Sequence, residues 1–508
     1  MEEVIITSGR ARFAGERRGE ACCFYGIPFA EAGRWQRARA VTYPVDTCVH
    51  ASGFGPSPWQ PENPAEFCTP AGLAEDCLNL NLFVSRPQES GKAVLLWVYG
   101  GAQVMGSNTG PRTEAGSWLF DGADLVTEHP DVLVVVPNYR VGTWGSANLS
   151  FFPDFREEYR FANNLARLDI LECLRWVRKN IASFGGDPDR ITLAGQSAGA
   201  ANLSSLLLMP EAKGEIHRVL CESSFCMDMG LTSFDDSVRI SRAFFEEAGV
   251  HTLAEALAMT SGELLEAQQK LLAASMGGSP VFRDIPSKLF SPVVDREVIF
   301  DDYWDYLAAE GCRGVSFLGG TNEGEYDQQF EGFEEPRDLA KVRDLVMDHC
   351  FCRLKDKDAL IGRYLLSGPR DRTELEAWMD LKRDIYLRVP SVCYAELFSK
   401  NGAGSWLYFL KGQEGSEPGR LRFRHASEIP MLFKKPCPYP EEVSMFVREN
   451  WLAFVRSGRP GASWPPYGEE KETMVITEHT HMENGIRVED IELLKPLCKE
   501  FTQGRKEK

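Results

Sequence analysis

The chain has 508 residues, 43% hydrophobic and 26% charged, the balance of a folded soluble protein. Its net charge of −18, with 74 acidic against 56 basic residues along the whole length, repels phosphate backbones and anionic bilayers, so neither nucleic acid nor a membrane is expected as a partner. No apolar run approaches the ~20 residues of a membrane span, and no linker or repeat period divides the chain, so residues 1–508 are expected to form one large domain.

In chain order, Met1-Glu2-Glu3 is acidic where a secretory leader is basic, and no apolar segment follows it. A cytoplasmic location is expected, the alternative being a secreted protein whose leader has been removed. The fourteen cysteines, including Cys22 and Cys23 and the near pair Cys350 and Cys352, supply no two C-x-x-C units for zinc. Free thiols in a reducing compartment are the expectation. Short apolar, β-rich runs at Val94–Val98, Val132–Val136, Ile191–Ala194, Val315–Leu318 and Trp406–Leu410 predict doubly buried parallel strands.

Between the strands lie helical periods, one over Asn164–Phe184 and one following Ser197. Strand–helix alternation predicts an α/β protein with a large, mostly parallel sheet and helices on both faces. Two stretches, about 230–300 and 335–400, read as helix and loop without strands. Such insertions tend to lie over the C-terminal sheet edge and shape a pocket. The sequons Asn148-Leu-Ser150 and Asn202-Leu-Ser204 read as chance matches, because Asn202 falls on a helix expected to be buried.

Ile191-Thr-Leu-Ala-Gly195-Gln196-Ser197-Ala198-Gly199 is a strand, a G-x-S-x-G turn and a helix start. Two glycines let a strained turn pass close to its neighbours and push the serine hydroxyl out at the sheet edge. The N–H groups of the turn then lie at a helix N-terminus, where developing negative charge is stabilised. Ser197 is the expected nucleophile.

Here the sequence resembles the type-B carboxylesterase and cholinesterase family of the α/β-hydrolase fold. Phe184-Gly-Gly-Asp-Pro188 before Gly195-Gln-Ser-Ala-Gly199 matches its nucleophile region. Tyr25-Gly-Ile-Pro-Phe-Ala30, Glu75-Asp-Cys-Leu-Asn-Leu-Asn81, Asn138-Tyr-Arg140 and Arg175-Trp-Val-Arg-Lys-Asn-Ile181 match further blocks. The pattern continues through Trp451, Phe454, Gly458, Pro460 and Trp464-Pro465, so the resemblance covers nearly the whole chain.

The resemblance implies the remaining site. Tyr99-Gly100-Gly101-Ala102 follows a central strand as the family's oxyanion loop does, which assigns the oxyanion donors to the N–H groups of Gly101, Ala102 and Ala198. The fold's chain order of serine, acid, histidine sets aside His50, His129, His217 and His251. His425, in His425-Ala-Ser-Glu428-Ile-Pro430, matches the family's histidine segment, whereas His479 and His481 lie in an exposed polar stretch and His349 in a helical insertion. For the acid, spacing from Gly320 gives Glu325, while matching a Glu-Gly dipeptide gives Glu323. Reach from the strand end is geometric, so Glu325 is preferred and Glu323 is expected at the surface.

Two departures stand out. Gln196 replaces the glutamate that often precedes the nucleophile, and Pro58 stands where many members place the cysteine that bridges to the equivalent of Cys77. Cys77 is therefore expected to be free. The implied activity is ester hydrolysis through an acyl-enzyme, with a small-molecule ester as partner and no metal or organic cofactor. An amidase or lactonase using the same triad is the alternative, and beyond it a non-catalytic cholinesterase-like binding protein. Trp59, Tyr99, Trp118, Trp144, Phe225 and Tyr326 are aromatic residues near the predicted site loops, each expected in core packing.

Overall fold

Strands that are almost wholly apolar must be covered on both faces, and that requirement builds the centre of this molecule. The computed structural model describes residues 2–61, 68–223, 231–276, 289–334, 336–346, 357–366, 373–412 and 422–503. Lys92–Val98 and Val132–Pro137 are buried at every position.

Thirteen strands among the described residues join in one sheet: β1 (Glu2–Ser8), β2 (Ala11–Arg18), β3 (Ala21–Pro28), β4 (Cys48–His50), β5 (Asn79–Ser85), β6 (Lys92–Val98), β7 (Val132–Pro137), β8 (Gly186–Gln196), β9 (Arg218–Glu222), β10 (Ser316–Asn322), β11 (Gly404–Leu410), β12 (Glu472–Ile476) and β13 (His481–Asn484). Their order is β1-β2-β3-β5-β7-β6-β8-β9-β10-β11-β12-β13, with β4 beside β2. From β7 to β12 every pairing is parallel. The β1–β2, β2–β3, β3–β5, β5–β7 and β12–β13 pairings are antiparallel.

All five predicted strands fall in the parallel block, with shifted ends. β8 starts at Gly186 and takes in Asp187-Pro188-Asp189 before the apolar run, and β10 extends through Asn322 to the loop that carries Glu323 and Glu325. The predicted Asn164–Phe184 helix is α-helical over Leu165–Asn180 and 3-10 over Ile181–Phe184. It stops at Gly185, whose φ of 87° suits glycine.

The first insertion holds the helices Phe234–Glu247, Leu253–Ala258 and Ser261–Met276. It was expected to lack strands, but Thr232–Ser233 pairs in parallel with Val293–Val294, a two-residue contact too short to leave a periodic signal. The second insertion carries Leu339–Val346, Lys357–Leu366, Glu374–Arg383 and Val389–Asn401, the last two joined by a π-helical turn, Asp384–Arg388. Both insertions reach the loops beyond the C-terminal ends of the strands. Gln268 Oε1 accepts from the Thr143 N–H at 2.7 Å, and Arg383 Nη1 donates to the Glu323 carbonyl at 3.3 Å.

Asn148 and Asn202 are buried, as the chance reading of both sequons requires. Among the described residues Cys22, Cys23, Cys77, Cys173 and Cys312 are buried free thiols. Cys350 and Cys352 lie outside the described residues, as does His349.

Candidate active site

The site is assembled where β8, β6 and β10 end. β8 stops at Gln196, and the Ala198–Leu206 helix begins two residues later. Ser197 spans the gap with φ 55° and ψ −129°, a strained conformation for a residue with a side chain. The flanking glycines make the turn sterically possible. A Cβ on Gly199 would collide with the Val98 carbonyl, and one on Gly195 would lie 2.7 Å from the same oxygen. The Ser197 N–H is held by the Glu222 carbonyl of β9 at 2.9 Å.

β6 delivers the candidate oxyanion loop. Tyr99 and Tyr139 stack with ring centroids 4.5 Å apart, and each hydroxyl donates to the other's carbonyl, at 3.1 and 2.8 Å. Beyond this anchor the backbone turns left-handed at Gly101 (φ 121°), Ala102 (φ 54°) and Gln103 (φ 67°). Gln103 Nε2 donates to Asn202 Oδ1 at 2.9 Å, fastening the loop to the serine's helix. A Cβ on Gly100 would sit 3.0 Å from Ser197 Cβ, so the loop lies against the serine. The N–H groups of Gly101, Ala102 and Ala198 are bound to no other group among the described residues.

His425 and Glu325 arrive on separate loops and meet, with His425 Nδ1 2.6 Å from Glu325 Oε2. The glutamate side chain is fully buried and the imidazole is one-third exposed. Glu325 Oε1 accepts from the Asn322 N–H at 2.7 Å, so both carboxylate oxygens are engaged. With the Nδ1 proton directed at Glu325, Nε2 presents its lone pair, and the Gln196 amide donates to it at 3.0 Å. This contact was not foreseen; the sequence marked Gln196 only as a change of charge.

Glu323 goes elsewhere. It is half-buried rather than at the surface, because its carboxylate accepts from the Gly412 N–H at 3.1 Å. Its carbonyl accepts from Arg422 at 3.1 Å as well as from Arg383.

Behind the histidine lies a second carboxyl pair that sequence reasoning did not single out. Glu428 accepts from the Tyr408 hydroxyl at 2.7 Å, the Ser223 hydroxyl at 3.3 Å and Asn322 Nδ2 at 2.7 Å. Glu222 accepts from Trp451 Nε1 at 2.6 Å. Burial, reinforced by the nearby Glu325 charge, pushes the Glu428 carboxyl above the usual range. Burial and the Glu428 charge push Glu222 well above it, against the Trp451 hydrogen bond. The only sequence signal was the glutamate of His425-Ala-Ser-Glu428, which reads as a motif position rather than as a role.

Of the aromatic residues near the loops, Tyr99, Trp118 and Trp144 are buried, Tyr326 sits edge-on to Tyr386, and Phe225 lies outside the described residues. Trp59 stacks on Trp144 at 6.3 Å. With Trp118, Leu73, Cys68 and Arg112 it also lines a cleft of about 600 Å³.

The Carboxylesterase family profile matches residues 5–494. A para-nitrobenzyl esterase of Bacillus subtilis is 27% identical over 98% of this chain and 99% of its own. Mouse liver carboxylesterase 1 is 28% identical over 88% and 84% respectively. A solved carboxylesterase of Geobacillus stearothermophilus superposes with a TM-score of 0.80 at 26% identity, covering 96% of this chain and 99% of that one. The chain belongs to the carboxylesterase family and is a carboxylic ester hydrolase of the α/β-hydrolase fold.

Proposed function

We propose that the chain hydrolyses small-molecule carboxylic esters through a covalent acyl-enzyme on Ser197. The observation that carries this reading is the 2.6 Å contact of His425 Nδ1 with Glu325, on an imidazole whose other nitrogen lies 3.0 Å from the side chain next to Ser197. In the first half-reaction, His425 Nε2 takes the Ser197 hydroxyl proton as Oγ attacks the acyl carbonyl. To do so the lone pair must pass from the Gln196 amide to the serine.

Glu325 holds the proton-bearing Nδ1 and stabilises the imidazolium that forms. The N–H groups of Gly101, Ala102 and Ala198 receive the carbonyl oxygen as it becomes an oxyanion, at no cost of reorganisation in a loop already strained into place. His425 then protonates the leaving alcohol, and water repeats the sequence on the acyl-enzyme. The free thiols of Cys22, Cys23, Cys77, Cys173 and Cys312 support a reducing, cytoplasmic setting.

The test is labelling with a fluorophosphonate probe beside steady-state turnover of p-nitrophenyl acetate. Ser197→Ala is expected to lose labelling and to lower kcat by about 10⁴-fold or more with the fold retained. A folded variant that turns over the ester at the parent rate removes Ser197 from the reaction. Turnover of the matching anilide, measured alongside, separates an esterase from an amidase.

A further inference from the structure

Glu325 and His425 are 100 residues apart in sequence and approach from different strands, so something must keep their loops in register. We infer that Asn322 is a positioning residue of the hydrolytic reaction, strapping the acid-bearing loop to the histidine-bearing loop from behind. This rests on the triad reading above.

Asn322 is the last residue of β10 and is fully buried. Its backbone N–H donates to Glu325 Oε1 at 2.7 Å. Its side-chain nitrogen donates to the carbonyl of Arg424, the residue before His425, at 2.8 Å, and to Glu428 Oε2 at 2.7 Å. One residue thus holds the acid by its main chain and both ends of the histidine segment by its side chain.

The amide has one orientation open to it. The Arg424 carbonyl can only accept, so a flipped amide would turn its own oxygen on another oxygen. In the observed orientation Oδ1 has no partner among the described residues. A buried carbonyl oxygen left unmet is unfavourable, and here it accompanies two donors spent on the histidine loop. Glu428 is a firm anchor, since Tyr408 and Ser223 hold its other oxygen.

The main-chain bond from Gly324 N–H to the Phe423 carbonyl, 2.9 Å, is a second tie between the loops but touches neither side chain of the pair. Without the Asn322 amide, the segment from Arg424 to Glu428 keeps its fold but loses its fixed offset from Glu325. The cost falls on the transition state, when the imidazolium must stay aligned with the carboxylate, and not on substrate binding.

The experiment compares Asn322→Leu, which keeps volume but removes both donors, with Asn322→Ala, on p-nitrophenyl acetate. Active sites are counted from the p-nitrophenol burst, so that partial unfolding is corrected for. Expected is a fall in kcat per titrated site of about 10- to 100-fold with KM within about twofold, and slowing of fluorophosphonate labelling by a similar factor. A purely structural role would lower thermal stability and the number of titratable sites but leave kcat per site unchanged. Whichever variant folds, kcat per site within threefold of the parent overturns the inference. Ser197→Ala and Glu325→Gln run in parallel: if they too retain activity, the triad reading fails rather than the strap.

Discussion

Between Glu323 and Glu325 stands a single glycine, yet their carboxylates meet different partners: the Gly412 N–H for one, the His425 imidazole for the other. Glu325→Gln preserves shape and the acceptor for the Asn322 N–H but removes the charge that balances the imidazolium in the proposed reaction. Its amide can also present a donor to Nδ1 and so favour the wrong tautomer. A loss of about 10³- to 10⁴-fold in kcat is expected. Glu323→Gln keeps an acceptor for Gly412 and is expected to change kcat less than about threefold. Steady-state kinetics of both variants on one ester decide between them, and a crippled Glu323→Gln beside a near-normal Glu325→Gln would reverse the assignment. At this scale the sequence is most legible where a residue's role depends on distance along the chain. Counting from Gly320 by the spacing of the resembled family singles out Glu325 as the candidate acid, and the reach of a strand end favours that spacing. Gln196 and Asn322 carry no such marker, since their partners, His425 and Glu428, come from 229 and 106 residues away.

At the scale of elements, the second insertion is organised around Asp384 at the start of its π-helical turn. The carboxylate is fully buried and accepts from the Tyr364 hydroxyl at 2.6 Å and from Arg383 Nε at 2.8 Å, with Arg487 3.4 Å away. Burial alone would raise this carboxyl, but the charges of Arg383, Arg487 and Arg388 hold it down to about 2. A carboxylate depressed in the folded state contributes its stability above the unfolded value of ~3.9 and loses it as pH falls toward that lower figure. Asp384→Asn removes the charge shared by Arg383, Arg487 and Arg388, although Arg383 keeps Asp380 and Arg487 keeps Asp490, and is expected to cost about 3–5 kcal/mol at pH 7. Urea unfolding at pH 7 measures it, and a loss below 1 kcal/mol would show the cluster to be dispensable. Because Arg383 also holds the Glu323 carbonyl, activity should fall at lower urea than bulk helicity.

Element legibility follows an unbroken apolar run rather than burial alone: β5 is buried at every position, but Asn79 and Asn81 interrupt its apolar run. The five strands read from sequence are covered on both faces. β1 and β2 mix charged with apolar residues, as Glu2-Glu-Val-Ile-Ile and Arg12-Phe-Ala-Gly-Glu-Arg show, and so carry no continuous apolar signature. β5 was visible only as part of a family motif.

For the whole molecule, the formal charge of −18 counts carboxyls that the interior does not allow to ionise freely. Glu222 is fully buried, with Oε2 bound to nothing among the described residues. Burial, with the Glu428 charge, raises it well above the ordinary range. A carboxyl raised in the folded state leaves stability intact below the unfolded value of ~4.3 and erodes it as pH climbs above that value. Glu222→Gln cannot ionise in either state and keeps an acceptor for Trp451, so it removes the erosion. The melting temperature of this variant should exceed the parent's by at least ~2 °C at pH 8 and match it at pH 4.5. Equal shifts at both pH values would mean that the effect is steric rather than protonic.

The sheet does not close on itself, and its two rims are β1 and β13. An open rim is a row of unpaired main-chain donors and acceptors, a template on which a second molecule can polymerise. Neither rim here invites it. β1 opens with Glu2 and Glu3, so its single exposed isoleucine, Ile5, follows two negative charges. β13 is only four residues long and carries Glu483 and His481. Two identical acidic rims brought side by side repel each other, so the same strands that extend the sheet also discourage amyloid-like stacking when the protein is concentrated.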